Sequence, residues 1–223
     1  MKKKIVIFGN TMFSKEMMYF LKEEPEKWEI LGFTLDPQYI EEDEFCGFPV
    51  FPFDTLDQYV PIQETEVLIA VGYSEMNHHR EAIFQRCKEK KYAIASYIHP
   101  SVVNHAKKIG EGNIILDFVQ LCYDCEIGDG NIIKGTSDVA HDCVVGNFNY
   151  FAGLCHVGGA SQIGDRNFFG VSCLVKSVST IGNENLIGAG SYVSVPLKEH
   201  MVVSPAKCRV VQASERTIAM FLE

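Results

Sequence analysis

The 223-residue sequence predicts a small parallel α/β domain followed by an all-β coil of stacked parallel strands. Three observations carry that prediction. From Ile109 to Val193 every sixth residue is apolar, fifteen times without a gap. A longer pattern, [IV]-G-x-x-N, recurs every 18 residues over the same region, as IGEGN at 109, IGDGN at 127, VGNFN at 145, IGDRN at 163 and IGNEN at 181. The first hundred residues instead alternate short apolar runs with stretches of helical spacing, the pattern of βαβ units.

In the α/β part, KKIVIFG (3–9) reads as a buried strand ending at Gly9, and Phe13, Met17, Phe20 and Leu21 then repeat at helical spacing. WEILGFTL (28–35) gives a second strand closed by Asp36, and VLIAVG (67–72) gives a third. A charged helix near 76–90 turns Ile83 and Cys87 inward, and AIASYI (93–98) is the last strand before His99-Pro100. The expected division is 1–96 for this domain and 97–223 for the coil with a C-terminal tail.

Ligands of such sheets bind beyond the carboxyl ends of the strands. Gly9-Asn10-Thr11, Asp36 and Gly72-Tyr73-Ser74 fall at those ends. Gly9 and the following helix N-terminus offer backbone N–H groups to a phosphate. An acid after the second strand suits a ribose hydroxyl or a base N–H. The G-x-G-x-x-G fingerprint is absent, since GNTMFS keeps only its first glycine, and residues 1–96 are too few for a two-halved dinucleotide fold. Turn residues of an α/β domain without a ligand are the competing reading.

The coil follows from the period. At 47% apolar residues, fifteen consecutive apolar sixth positions arise by chance roughly once in 10⁵ trials. Six residues hold a short strand and a corner. Three such faces close an 18-residue triangular coil, whose strands pair with the next coil about 4.8 Å away. Sixth-position residues point inward as walls, and by alternation so do the residues two before them. That second inward column holds Cys125, Ser137, Cys143, Cys155, Ser161, Cys173, Ser179 and Ser191, and in the repeat Asn113, Asn131, Asn149, Asn167 and Asn185. Four of the eight cysteines are thereby packing residues, while Cys122 of the C-x-x-C pair points out.

Gly, Asn and Asp collect two residues after the walls, for example at Asp129, Gly135, Asn147, Gly159 and Asp165, where unusual backbone angles are expected. His141 takes the same corner position, which makes it outward-facing. Its neighbours one repeat away are Tyr123 and Gly159, and Gly158-Gly159 leave space over the imidazole for a ligand. A solvated corner histidine with incidental glycines is the alternative.

A net charge of −9 opposes general nucleic-acid binding, which needs Lys and Arg to neutralise phosphates. The apolar run Ile5–Phe8 is too short for a signal peptide, and no stretch approaches the roughly 20 apolar residues of a membrane span. A cytoplasmic location with reduced cysteines is expected.

An α/β domain leading into a hexapeptide coil, with HDC before V-V-G, resembles the bacterial sugar O/N-acyltransferases of the sialic-acid O-acetyltransferase type. That family includes the N-acetyltransferases of nucleotide-linked amino sugars. The resemblance spans nearly the whole chain and rests on VIFG (6–9), IHPSV (98–102), HDCVVG (141–146), LIGAGSYV (186–193) and SPAK (204–207). It implies a left-handed β-helix, against the usual crossover hand, and a homotrimer with acetyl-CoA between coils of neighbouring subunits. It implies His141 as general base with Asp142 as its carboxylate partner. By the same likeness Tyr150, Val171 and Ala189 contact acetyl-CoA, and Asn10, Thr11, Asp36 and Gly72 bind the nucleotide-linked amino sugar. The chain departs from the family in three places: only Gly9 remains of a glycine-rich first loop, Tyr150 stands where a histidine is common, and SPAK replaces GnPAK.

The implied chemistry is coherent. A sugar ammonium must lose a proton before it attacks a thioester, and an imidazole, unperturbed near pH 6.5, is a suitable acceptor. A carboxylate orients the ring and stabilises the imidazolium. A coil N–H is the expected oxyanion donor, and an inward Cys143 implies direct transfer without an acyl-enzyme. The competing expectations are O-acetylation of a sugar hydroxyl and a non-catalytic scaffold. A zinc hydratase would need His105, His141 and His156 to converge, and the reading gives them no shared column.

Overall fold

The computed structural model describes residues 2–206 together with 212 and 214. Lys207 of SPAK, Cys208 and most of the predicted tail lie outside the described residues. The α/β domain comprises β1 (Lys3–Phe8), α1 (Met12–Glu23), β2 (Trp28–Leu35), β3 (Glu44–Phe45), β4 (Phe48–Pro52), β5 (Thr65–Ile69), α2 (His78–Glu89) and β6 (Ala93–Ile94), with strand order β3-β4-β2-β1-β5-β6. β1 is apolar from Ile5 to Phe8 because both faces of that stretch are covered. Ile5 and Ile7 pack with Met17, Leu21 and Trp28, whereas Val6 and Phe8 pack with Phe53, Leu56, Ile83 and Cys87.

Several details differ from the sequence expectation. AIASYI is not one strand: Ala93–Ile94 ends the α/β sheet, and Tyr97–Ile98 begins the coil. VLIAVG pairs only as far as Ile69, leaving Val71 and Gly72 beyond the sheet. The β3–β4 hairpin was not expected. Its turn, Cys46-Gly47, has positive φ at both residues, 53° and 81°, a geometry usually announced by Asn-Gly.

The coil is a left-handed parallel β-helix with three faces. Among the described residues the first holds seven strands from Tyr97–Ile98 to Val202–Val203, the second six from Val103–Asn104 to Tyr192–Val193, and the third five from Lys108–Ile109 to Thr180–Ile181. The register is 18 residues, as in Ile115↔Ile133↔Phe151↔Phe169↔Ile187. The fourteen predicted walls from Ile115 to Val193 are buried in one cluster, with Ile109 partly buried at its end. Phe151 and Phe169 stack at 4.4 Å.

The [IV]-G-x-x-N motif now has a physical cause. Asn131 N donates to Asn113 Oδ1, Asn149 N to Asn131 Oδ1, Asn167 N to Asn149 Oδ1 and Asn185 N to Asn167 Oδ1, all at 2.8–2.9 Å. A second ladder runs outside it: Asp129 N to Asn147 Oδ1 at 2.9 Å, Asn147 N to Asp165 Oδ1 at 2.6 Å, and Asp165 N to Asn183 Oδ1 at 2.8 Å. A Cβ on Gly128 would stand 2.5 Å from Asn147 Oδ1, so the glycine admits that acceptor. These corner side chains are present for their oxygens rather than their backbone freedom. Positive φ falls one residue later than expected, at Asp124 (59°), Asp142 (56°), Phe148 (54°) and even Val178 (59°).

The α/β domain covers the first face and the corner between the third and first. Trp28, Met17 and Leu21 pack with Tyr97, Ile114 and Ile132, and Phe84 meets Phe148 edge-on at 5.2 Å. Among the described residues no helix is long and apolar enough to cross a membrane.

Candidate active site

His141 and Asp142 form the corner between the second and third faces. The left-handed backbone at Asp142, which Asp tolerates better than most residues, brings its Oδ2 to 2.7 Å from His141 Nδ1. Both side chains are about two-thirds exposed. With Nδ1 engaged, Nε2 is the nitrogen left to exchange a proton with a ligand. The space over Gly159 is not open, as expected from sequence, but holds the imidazole itself: a Cβ there would lie 2.6 Å from His141 Nε2. Gly158 has a different cause, because its Cβ would meet Ser177 N at 2.5 Å.

The remaining reactive neighbours resolve simply. Cys143 is buried in the coil, Sγ donates to Gly158 O at 3.3 Å, and burial raises its thiol pKa. His105 does not share His141's column: the first coil pairs Asn104 with Leu121, so His105 stands one residue after its wall position, beside Cys122 and Ala140, whereas His141 stands two after Val139. His105 stacks on Tyr123 at 4.3 Å. His156 instead pairs with Asp138 on the second face at 3.1 Å. Among the described residues no three His, Cys, Asp or Glu side chains form a group that could hold a metal ion.

A cavity of about 760 Å³ opens at the carboxyl ends of β1, β2 and β5. It brings together the four predicted positions Asn10, Thr11, Asp36 and Gly72, with Tyr39, Tyr73 and His79 on its walls. Gly9 (φ 126°) starts the turn into α1, and its Cβ would strike Ala70 O, at the end of β5. Thr11 N donates to Ser14 Oγ at 3.3 Å at the head of α1. Asp36 is not a free acceptor: the Arg86 guanidinium grips both its oxygens, at 3.0 Å for Nη1–Oδ2 and closer for Nη2–Oδ1.

Tyr150 lines this cavity from the coil, stacked on Phe168 at 5.5 Å and edge-on to Tyr73 at 5.0 Å. The predicted acetyl-CoA positions therefore separate. Val171 and Ala189 lie on adjacent coils at the corner between the first and second faces, where Gly190 N donates to Val171 O at 2.8 Å. Tyr150 belongs to the cavity at the strand ends.

Sequence reasoning missed Arg80, which is buried although it begins α2's charged stretch. Its guanidinium donates to the carbonyls of Gly72 (2.6 Å), Gly130 (3.0 Å), Phe148 (2.8 Å) and Asn149 (3.2 Å) and to Asn77 Oδ1 (3.1 Å). Burial pushes its pKa down to about 9, which leaves it charged at neutral pH. The chain reaches it through three successive left-handed residues, Glu75, Met76 and Asn77 (φ 52°, 49° and 69°). Such a turn costs about 1–2 kcal/mol per residue, and buried Asn77 anchors it by donating to Asn167 O at 3.3 Å. The available signal was Arg80's place in the stripe with Ile83 and Cys87, at core spacing.

No family model matches the chain, and no curated protein matches it. Solved structures with the same two-part architecture do. The acetyltransferase domain of PglB from Neisseria gonorrhoeae FA1090, in complex with acetyl coenzyme A, matches 93% of this chain and 99% of its own at 21% identity and TM-score 0.80. PerB from Caulobacter crescentus, in complex with CoA and GDP-perosamine, matches 89% and 92% at 24% identity and TM-score 0.78. WeeI from Acinetobacter baumannii AYE matches 90% and 96% at 24% identity and TM-score 0.77. The shared property is the fold, α/β domain and coil together.

Proposed function

We propose that this chain is a cytoplasmic, acetyl-CoA-dependent N-acetyltransferase acting on the amino group of a nucleotide-linked amino sugar, with residues 1–96 as the nucleotide-sugar domain and 97–223 as the acyltransferase coil. The observation that carries the reading is the exposed His141–Asp142 pair, with Nδ1 held at 2.7 Å and Nε2 free of that bond. The 760 Å³ cavity at the strand ends supplies a nucleotide-sized site on the same chain. Fold neighbours solved with acetyl coenzyme A, or with CoA and GDP-perosamine, support the pairing of co-substrates.

In this mechanism Nε2 of His141 takes a proton from the sugar ammonium, and the amine attacks the thioester carbonyl carbon. A coil N–H stabilises the oxyanion. The carbon–sulfur bond then breaks, the imidazolium returns its proton to the departing CoA thiolate, and the new amide nitrogen releases its second proton to solvent. Asp142 holds the ring and stabilises its cationic form. Val171 and Ala189 contact acetyl-CoA, while Asn10, Thr11, Asp36, Gly72 and, by its cavity position, Tyr150 serve the nucleotide sugar.

In this reading the site lies between two copies of the chain. Among the described residues the cavity touches the coil only at Tyr150 on the first face, whereas His141 sits at the opposite corner. A second copy that brings its own corner to the cavity joins the two, and this separation supports the homotrimer with sites between subunits.

The test is thiol release from acetyl-CoA with a panel of UDP-, dTDP- and GDP-linked amino sugars, beside sialic acid and capsular hydroxyl sugars. Thiol release with a nucleotide amino sugar, with an acetylamide in the product, is expected. Acetylation of hydroxyl sugars alone would replace it with the O-acetyltransferase reading, and no acetyl-CoA binding by calorimetry would favour a scaffold.

A further inference from the structure

The cavity has an electrostatic problem. Among the described residues it is lined by Asp36 and Glu41 and by no lysine or arginine, and the charge of nearby Arg86 is committed to Asp36 and Asp54. A nucleoside diphosphate brings further negative charge into that space. The α1 N-terminus offers partial charge only.

Arg80 lies directly behind the wall. It is 2% exposed and makes no ion pair with a carboxylate among the described residues; its acceptors are backbone carbonyls and Asn77. Buried charges are ordinarily paired, so an unpaired guanidinium leaves a full positive charge uncompensated in a medium that screens it poorly. Two of its close neighbours, Gly72 and Tyr150, are cavity residues. The Gly72 carbonyl is held at 2.6 Å by Nη1. Because that peptide is trans, the Tyr73 N–H points the opposite way, away from the guanidinium. No hydrogen bond to it is found among the described residues. The guanidinium thus both supplies charge and orients a donor at the cavity rim.

From this geometry we infer that Arg80 is the positioning residue and buried counter-charge for an anionic ligand in the cavity, selecting nucleoside diphosphates over uncharged nucleosides without touching them. The inference rests on the nucleotide-sugar reading of the cavity and names the charge that offsets the phosphates where a glycine-rich loop is missing.

The experiment is calorimetric binding of UDP, dTDP and GDP, each beside its uncharged nucleoside, to the wild-type protein and to Arg80→Met and Arg80→Lys. Arg80→Met is expected to weaken the preferred diphosphate at least tenfold while changing its nucleoside less than about twofold. Arg80→Lys is expected to keep most of the diphosphate preference. Equal weakening of diphosphate and nucleoside in Arg80→Met would assign Arg80 a purely structural role and overturn the inference, as would loss of the preference in Arg80→Lys. Should Arg80→Met fail to fold, the wild-type preference at about 0.5 M salt decides: a buried charge is screened little and preserves it, whereas its collapse points to surface charges. If the wild-type protein binds none of the diphosphates or nucleosides, the nucleotide reading itself fails. Binding with an unchanged preference in both variants overturns only the role of Arg80.

Discussion

The His141 imidazole lies against the backbone of Gly159, with Nε2 2.6 Å from the point a Cβ on that glycine would occupy. The ring position is therefore fixed from two sides, by Asp142 at Nδ1 and by the missing side chain at Gly159. Gly159 does not have positive φ, so alanine fits its backbone. Gly159→Ala should leave the melting temperature nearly unchanged and lower kcat about 10–100-fold by displacing the ring, since small misplacements of a reacting group carry such penalties. Parallel thermal melts and steady-state kinetics check this. An unaltered kcat would show that the ring position is immaterial.

Asp142 gives a cleaner test as asparagine than as alanine. Asn tolerates the left-handed backbone at 56°, so the corner survives while the carboxylate charge is lost. Asp142→Asn should lower kcat about 10–100-fold, the range typical of lost orienting partners on histidine, with acetyl-CoA affinity unchanged. Kinetics with calorimetry of acetyl-CoA binding would establish that split.

Cys143 stands beside this pair in sequence but not in space. It is wholly buried and donates to Gly158 O. Cys143→Ser preserves a small donor there, and at least half of the wild-type turnover should remain. A folded Cys143→Ser protein without activity would restore a thiol mechanism.

The asparagine ladder predicts where the coil is brittle. Asn149 Nδ2 donates to Gly164 O at 2.9 Å, and its Oδ1 accepts from Asn167 N at 2.8 Å. Asn149→Ala strands both backbone groups in a buried site, at about 1–3 kcal/mol each. A loss of about 2–5 kcal/mol in denaturant unfolding is expected.

The coil was legible because its burial repeats with a fixed period, so each wall residue reports on all the others. Ile115 through Val193 follow that rule without exception. What escaped has non-periodic causes. Arg86 meets Asp36 across 50 residues, and Arg80 disappears among the charges of α2 while its partners are backbone carbonyls that no sequence pattern marks. The Cys46-Gly47 turn lacks its usual residues. The outward corner at His141 was visible from phase, Asp142 as its partner came from the family resemblance, and the allotment of Tyr150 to the cavity needed the α/β domain in place.

The central claim is that His141 is the base for acetyl transfer. The direct measurement is kcat of His141→Ala at saturating acetyl-CoA and saturating nucleotide amino sugar, with acetyl-CoA affinity measured on the same preparation. The account predicts a fall of about 10² or more in kcat, a typical general-base contribution, with acetyl-CoA binding intact. A variant that binds acetyl-CoA normally and keeps most of its turnover would contradict it.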